Sequence, residues 1–212
     1  MTSENPAPTG VDLRQSVSRS VSRLQAAMFG EHGPRAQADA QGTLARLRRS
    51  AGLSPEADPL GFQRVLDQLD PPLRLEDQGR GEYASPTERA AFHAISLFAL
   101  HMQSQSRPMH VPQRSFATAV GQLLEHTSSK STKPRFDALL AARSNAARLQ
   151  HLRSLIALLR AYHLGFDYGW FAHDLRTLSG AQHPQVLLRW GRDIIVGPRR
   201  EKITAADSST LA

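Results

Sequence analysis

The chain has 212 residues, a net charge of +7, 40% hydrophobic residues and no cysteine. This length is enough for one helical domain with a hydrophobic core, or for two small lobes. The lack of cysteine excludes disulfides, zinc-thiolate sites and thiol catalysis, and it is typical of proteins of the reducing cytoplasm. No apolar run is long enough to predict a membrane-spanning helix, so a cytoplasmic protein with no membrane partner is expected.

The positive charge is concentrated in the C-terminal half. Residues 105–212 contain 15 basic and 7 acidic residues, whereas residues 54–88 contain eight carboxylates and three arginines. Only three of the 26 basic residues are lysine. A GC-rich coding sequence would also favour arginine, but it would not explain the net charge. Because charge is sorted along the chain, we expect one basic face that binds a polyanion, most simply nucleic acid.

Apolar residues recur at helical spacing along the first half of the chain. Residues that can cap or start a helix precede these stripes, and proline or glycine follows most of them. Four helices are therefore predicted. In chain order they are a helix capped by Asp12 with Val17, Val21, Leu24 and Met28; a segment of about 35–50 with Leu44 and Leu47 that stops near Gly52; a helix opened by Asp58-Pro59 with Phe62, Val65, Leu66 and Leu69 that ends at Pro71-Pro72; and a helix opened by the capping box Ser85-Pro86-Thr87-Glu88 with Phe92, Ile95, Ala99 and Met102.

The second half repeats this pattern, and no alternating strand or internal repeat occurs in the sequence. The predicted stripes are Phe116, Val120, Leu123 and Leu124; then Phe136, Leu139 and Leu140 after Pro134; then Leu149, Leu152, Ile156 and Leu159; then Phe171, Leu175 and Leu178 between Asp167 and Gly180; and finally Leu187, Trp190 and Ile194 between Pro184 and Gly197-Pro198.

These patterns predict an all-α fold, an irregular bundle of about eight or nine amphipathic helices. The helical domain is expected to cover residues 12–196, with a possible lobe boundary near 104–133. The polar ends, residues 1–11 and 197–212, are predicted to be disordered.

The sequence offers little support for an enzyme. His93 and His101 are eight residues apart, and no His-x-x-x-His pair, phosphate-binding loop or Gly-x-Ser-x-Gly motif occurs. The neighbouring carboxylates Asp67 and Asp70 lie at a helix end before two prolines, where solvation and capping explain them better than a Mg²⁺ site. We therefore predict no catalytic residue, no metal and no cofactor.

The basic residues support a binding function more strongly than any residues support catalysis. Arg46 and Arg49 are three residues apart and share a helix face away from Leu47, while Arg153 and Arg160 are seven apart on one flank of a leucine stripe. Other basic residues open a helix whose N-terminal amides also attract anions. The predicted nucleic-acid-binding residues are Arg46, Arg48, Arg49, Lys130, Lys133, Arg135, Arg143, Arg153 and Arg160. Arg148 falls nearer the apolar side of its helix, so it is expected to be partly buried or paired.

Aromatic residues cluster between Tyr162 and Phe171, and such residues can stack on the bases of single strands. Phe171 and Trp190, however, lie on apolar helix faces, which favours core packing. No arginine lies within this cluster. The sequence therefore favours binding to the nucleic-acid backbone without sequence preference.

The ordered set of motifs resembles the CasB family, the small subunit of the type I-E CRISPR surveillance complex Cascade. The resemblance covers about residues 15–196, and the loop 127–133 and the tail after Gly197 depart from the family pattern. It rests on Leu44-Ala-Arg-Leu-Arg-Arg49; Phe116 with Val120, Leu123 and Leu124; Arg135-Phe-Asp-Ala-Leu-Leu140; Leu149-Gln-His-Leu-Arg153 followed by Leu155 to Leu159; Phe166-Asp-Tyr168; Asp174-Leu175; and Trp190-Gly-Arg-Asp193.

This resemblance implies a non-catalytic helical subunit, present in two copies in an RNA-guided ribonucleoprotein. Family members line a basic path, contact the backbone subunits and the large subunit, and stabilise the hybrid of CRISPR RNA and target DNA together with the displaced strand. Lys130, Lys133 and Arg160 are candidates from charge alone. The other candidates match family motif positions: Arg46, Arg48, Arg49, Arg135, Arg143 and Arg153.

Two other functions are compatible with the sequence. A DNA-binding regulator of helix-turn-helix type would need a short turn before a polar recognition helix, which the basic region 134–160 could imitate. A structural adaptor would instead use its basic face to bind an acidic protein. A sequence-specific footprint on duplex DNA would favour the regulator, whereas partner binding that survives nuclease treatment would favour the adaptor.

Overall fold

The computed structural model describes residues 10–126 and 131–210, with side chains described up to Ile203. The described residues form nine α-helices, two short 3-10 helices and two isolated β-bridges, so the predicted all-α class is confirmed. The helices are α1 (Leu13–Met28), α2 (Gly33–Leu47), α3 (Pro59–Gln68), α4 (Pro86–His101), α5 (Phe116–His126), α6 (Thr132–Ala141), α7 (Asn145–Ala161), α8 (Tyr168–Leu178) and α9 (His183–Thr210), and the 3-10 helices are Arg48–Ser50 and Leu75–Asp77.

The predicted caps start the helices as expected. The side chains of Asp12, Asp58 and Asp167 each accept a hydrogen bond from a backbone N–H in the first turn of their helices. Ser85 and Glu88 form the predicted capping box at the start of α4. A cap satisfies N–H groups that have no partner within the helix, and it typically contributes about 1 kcal/mol.

Helix α4 is the centre of the molecule. It packs against α1, α2, α3, α7 and α8, and residues on all sides of it are buried. A helix that is apolar all round can only lie inside a bundle, which explains why α4 is the most completely buried element. The other extensive contacts are between α5 and α9 and between α1 and α8.

The N-terminal boundary differs slightly from the expectation of disorder over residues 1–11. Residues 1–9 lie outside the described part of the chain, but Val11 forms a parallel bridge with Leu73. Its N–H donates to the carbonyl of Pro72 at 3.0 Å, and its carbonyl accepts from Arg74 at 3.3 Å. This pairing holds the chain just before α1 against the segment after α3.

The predicted end of the last helix at Gly197-Pro198 is wrong, because α9 continues to Thr210. Residues 197–210 are therefore helical, and residues 211–212 lie outside the described part. Pro198 lacks the N–H that would continue the ladder, which is why the sequence predicted a stop. The long contact with α5 holds the helix through this point, and Pro198 is buried in it.

Polar contacts also hold α9 beyond Pro198. The Glu201 carboxylate accepts hydrogen bonds from the Arg114 Nε at 2.8 Å and from the Gln122 Nε2 at 2.5 Å. The next residue, Lys202, pairs with Glu125 at 2.8 Å. These contacts come from α5 and the segment before it, so no local signal in residues 197–212 could reveal them.

Candidate nucleic-acid interface

The first basic segment lies at the end of α2. Arg46 is in the last turn and Arg48 and Arg49 form the 3-10 helix that follows; Arg46 and Arg49 are exposed, and Arg48 is half-buried. The guanidinium of Arg46 donates to the Thr43 hydroxyl at 3.3 Å. None of the three arginines has a carboxylate within ion-pair distance among the described residues. Their charges are therefore available to an external anion.

Arg153 of α7 lies directly over the loop that follows this segment. A Cβ placed on Gly52 would be 2.9 Å from a terminal guanidinium nitrogen of Arg153 and 3.3 Å from its Cδ. Gly52 is three residues after Arg49, so their Cα atoms are at most about 11 Å apart. Arg153 is exposed, and no acidic partner is described for it. The structure thus brings Arg153 to the loop just after a basic segment that is about a hundred residues away in sequence, and we call Arg46, Arg48, Arg49 and Arg153 the basic junction.

Arg143 lies outside the basic junction. It is exposed in the connection between α6 and α7, where it lines a groove together with Arg148 and His183. Arg153 lies about 12 Å along the axis of α7 from its first residue, Asn145, and Arg143 precedes that residue. Arg148 is partly buried and paired, as expected, since it donates to the Leu178 carbonyl at 3.1 Å.

The remaining candidates have varied surroundings. Lys133 forms an ion pair with Asp137 one turn later, which neutralises much of its charge. Arg160 donates to the Gln103 side chain at 2.5 Å and is half-buried. Arg135 is half-buried on α6 with no carboxylate partner described. Lys130 lies outside the described residues.

The aromatic cluster belongs mainly to the core, as the sequence favoured. Phe166, Tyr168, Phe171 and Trp190 are at most 1% exposed, and their rings pack on one another. Bases therefore cannot stack on these rings without unfolding the domain. The guanidinium of Arg14 lies 3.8 Å from the Trp170 ring centre, a cation–π contact between α1 and α8 that the local sequence did not predict.

Buried histidines have structural surroundings. Burial, with the nearby charge of Arg89, lowers the pKa of His93 to about 4. Burial, with the charge of Arg160, lowers the pKa of His101 to about 3, and its Nδ1 lies 3.0 Å from the Tyr168 hydroxyl. Neither belongs to a metal-binding group, since no cluster of three potential ligands occurs within residues 10–126 and 131–210.

Comparisons with known proteins identify the family. The family profile of the CRISPR-associated protein Cse2 matches residues 43–193, well over half of the chain. The chain belongs to the Cse2 family. The resemblance to CasB that the motifs indicated is thereby confirmed, and the match includes both segments of the basic junction. No curated protein matches the sequence.

Solved structures of Cse2 proteins have the same fold. CasB from Thermobifida fusca superimposes with a TM-score of 0.66 at 26% identity, covering 88% of this chain and 99% of the CasB chain. A Cse2 family protein from Thermus thermophilus gives a TM-score of 0.62 at 23% identity, covering 88% and 99%. A chain of a CRISPR RNA-guided surveillance complex gives 0.61 at 20% identity, covering 91% and 99%. In the described residues of the present Cse2 protein, no helix is both long and apolar enough to cross a bilayer.

Proposed function

We propose that this Cse2 protein is a non-catalytic small subunit of Cascade that binds a nucleic-acid backbone through the basic junction. The observation that supports the proposal is the contact of Arg153 with Gly52, the glycine three residues after Arg49. Arginine forks bind phosphate oxygens with two parallel hydrogen bonds, and they need no particular base. Family membership supports the setting, an RNA-guided complex with other Cascade subunits. A second copy of this chain in that complex is part of the proposal.

The basic junction suits the energetics of R-loop formation. The RNA–DNA hybrid is about as stable as the DNA duplex that it replaces, so modest contacts to the hybrid or to the displaced strand can decide the outcome. Several unpaired arginines on one surface provide such contacts without sequence preference. The chain would then stabilise the R-loop while the guide RNA supplies the specificity.

Salt dependence of binding tests the proposal. The isolated protein should bind single-stranded oligonucleotides of unrelated sequence with similar affinity, and this affinity should fall by orders of magnitude between about 50 and 200 mM salt. A gel-shift titration at several salt concentrations measures both properties. Binding that barely changes with salt would contradict a phosphate-directed surface.

Absence of catalysis is part of the same proposal. Pure protein incubated with Mg²⁺ or Mn²⁺ should leave DNA and RNA intact. Cleavage that disappears when Asp67 or Asp70 is replaced by alanine would overturn this part of the proposal and assign the carboxylates at the end of α3 a catalytic role.

The helix-turn-helix alternative is one outcome of the binding test. The short connection 142–144 between α6 and α7 has a suitable length, and α7 buries Leu152, Leu155 and Ile156 while Arg153 is exposed. A sequence-specific footprint on duplex DNA would favour this alternative. A structural adaptor remains an outcome of the binding test, since it would bind its partner protein with the basic junction and ignore oligonucleotides.

A further inference from the structure

The outer face of α9 exposes three large apolar side chains in one line. Leu188 is 67% exposed, Ile195 51% and Ile203 62%, and they follow one another at intervals of seven and eight residues. Because a helix turns about 100° and rises about 1.5 Å per residue, the three side chains lie within a sector of about 80° and extend over about 22 Å. Exposed apolar residues that are scattered singly need no explanation, but a line of them on one helix indicates a contact surface.

Two arginines occupy the intervals between these apolar residues. Arg192 is four residues after Leu188, and Arg199 is four residues after Ile195, so both lie within the same sector of the helix. Both arginines are exposed, and neither has a carboxylate within ion-pair distance among the described residues. Apolar and positively charged side chains therefore alternate along one line. We call Leu188, Arg192, Ile195, Arg199 and Ile203 the outer stripe.

The carboxylates near α9 do not neutralise the outer stripe. Between residues 188 and 203 the helix contains two acidic residues, Asp193 and Glu201. Asp193 is half-buried and lies about 100° around the helix from Arg192, which places it beside the outer stripe rather than on it. Three carboxylates on or beside α9 are already paired with other cations, and these pairs are Glu201 with Arg114, Glu125 with Lys202, and Asp174 with Arg189.

The opposite side of α9 fixes the helix to the bundle. Val186, Trp190 and Ile194 are buried on this inner side, where α9 makes its long contact with α5. The outer stripe is therefore presented by a helix that is already formed and packed. A preformed surface avoids much of the ordering cost of binding.

The composition of the outer stripe favours a protein ligand over nucleic acid. A phosphate backbone would pair with the two arginines, but it offers no apolar surface to cover the three aliphatic side chains. The outer stripe also contains no aromatic ring on which bases could stack. A helix that alternates acidic and apolar residues at the same spacing satisfies both kinds of side chain, since its residues four and seven apart also share one face.

We infer that the outer stripe binds an acidic amphipathic helix of a partner protein. Leucine or isoleucine side chains of that helix pack on Leu188, Ile195 and Ile203, while its glutamates pair with Arg192 and Arg199. The inference is independent of nucleic-acid binding at the basic junction, because the two surfaces share no residue and α9 packs chiefly on α5 and α8. The chain would thus hold a polyanion and a protein neighbour on separate surfaces.

Fluorescence polarisation with three labelled helical peptides tests this inference on the full-length chain. The first peptide has 18 residues and alternates leucine and glutamate along one face, the second has lysine in place of glutamate, and the third scrambles the first so that leucine and glutamate lie on different faces. Only the first should bind. Ile195→Ser should weaken its binding about tenfold, because central apolar contacts contribute most to an interface.

Reversal of the charge on the outer stripe gives the sharpest result. The double variant Arg192→Glu, Arg199→Glu should lose the glutamate peptide and bind the lysine peptide instead, since the apolar contacts remain and only the sign of the charge changes. Its circular dichroism spectrum should match that of the original chain, because both residues are exposed.

Two matched controls change residues of other helices. Arg35 is exposed on α2, so Arg35→Glu makes the same kind of charge change away from the outer stripe. Leu60 is 63% exposed on α3, so Leu60→Ser removes a comparably exposed apolar side chain. Both variants should bind the glutamate peptide as tightly as the original chain does.

Four results would overturn the inference. Equal binding of the scrambled peptide, or an equal loss in Arg35→Glu, would show unspecific attraction. Displacement of the peptide by a single-stranded oligonucleotide would place nucleic acid on the outer stripe. Binding to phosphatidylglycerol vesicles that disappears in Ile195→Ser would assign the outer stripe to a membrane surface. Self-association, measured by sedimentation, that disappears in the same variant would make the ligand a second copy of this chain.

Discussion

At the scale of single residues, Gly52 allows the two basic segments to meet. Its φ of +100° is one that residues with a Cβ rarely adopt, and its missing side chain leaves room for the Arg153 guanidinium. In the sequence, Gly52 indicates only the end of a helix. A glycine directly after a basic helix end is the one signal that could have suggested a close approach here.

Replacing Gly52 by alanine should therefore have two effects. The strained backbone should lower the free energy of unfolding by about 1–3 kcal/mol, and the new Cβ should push the Arg153 guanidinium away from this loop. Thermal denaturation measures the first effect and a gel-shift titration the second. The double variant Gly52→Ala, Arg153→Ala lacks the contact between the new Cβ and the Arg153 guanidinium. Its free energy of unfolding should therefore fall less than that of Gly52→Ala, by the contribution of this contact alone. An unchanged melting temperature in Gly52→Ala would contradict the geometry of this loop.

The buried histidines give a second prediction, on pH. The folded pKa values of His93 and His101 are about 4 and about 3, below the ordinary 6.5, so below pH 6.5 the unfolded chain binds protons that the folded chain does not. Stability should be full above pH 6.5 and should fall as the pH decreases towards 5, with a slope of at most about 1.4 kcal/mol per pH unit for each histidine.

Urea denaturation at several pH values between 5 and 7 measures this slope, above the range in which the Glu56 carboxylate titrates. His93 lines an apolar crevice with Leu149 and Leu152, so His93→Leu should remove its share of the slope while keeping the fold. An identical pH dependence in this variant would show that the His93 ring is not buried in the folded protein.

At the scale of helices, the close crossing of α5 and α9 determines the C-terminal structure. A Cβ at Gly121 would overlap the Ile194 carbonyl, and one at Gly197 would overlap the Thr118 hydroxyl. Glycines on both helices thus let the two backbones approach. This approach explains how α9 continues past Pro198, whose cost in an isolated helix is about 3 kcal/mol or more.

Gly121→Ala should therefore destabilise the protein by about 1–3 kcal/mol, because α5 and α9 must separate. Gly191→Ala is the matched control, since it lies on α9 with open space around it and should stabilise the helix by about 0.5–1 kcal/mol. Chemical denaturation of both variants makes the comparison. Equal effects of the two substitutions would argue against the close crossing.

The helices could be predicted where the signal is local. Asp12, Asp58, Ser85 and Asp167 are predicted as caps, and each accepts the first-turn hydrogen bond that a cap requires. The apolar pattern does not predict the Ser144 cap of α7, although serine is a common cap residue. The end of α9 could not be predicted, because Gly197 and Pro198 locally favour a helix end, whereas packing against α5 keeps the chain helical beyond them.

The candidate site was only partly predictable for the same reason. Charge and periodicity indicate both arginine segments, but only the fold shows that Arg153 meets Gly52 while Arg143 lines a groove with Arg148 and His183. The Lys133–Asp137 ion pair could be predicted, because charged residues four apart on a helix are neighbours. The division of the chain into lobes near 104–133 stays a prediction.

At the scale of the whole molecule, opposite charges lie next to each other where α2 is followed by α3. The basic junction combines the end of α2 with α7, and the carboxylates of residues 54–88 begin in the loop directly after Gly52. Asp58 accepts a hydrogen bond from the hydroxyl of Ser50, the residue after Arg49, at 2.7 Å, so carboxylates border the junction on this side.

Nucleic-acid binding by the basic junction can be measured by gel-shift titration of a single-stranded oligonucleotide against charge-matched variants. Arg46→Ala with Arg49→Ala, and Arg153→Ala separately, should keep the helical circular dichroism spectrum, since exposed substitutions usually cost less than about 0.5 kcal/mol. Both should weaken binding and reduce its salt dependence by about one unit of slope for each phosphate that the variant no longer binds. Arg64→Ala with Arg80→Ala, in the acidic segment, should not weaken it. Folded junction variants with unchanged affinity and salt slope would contradict nucleic-acid binding at this surface.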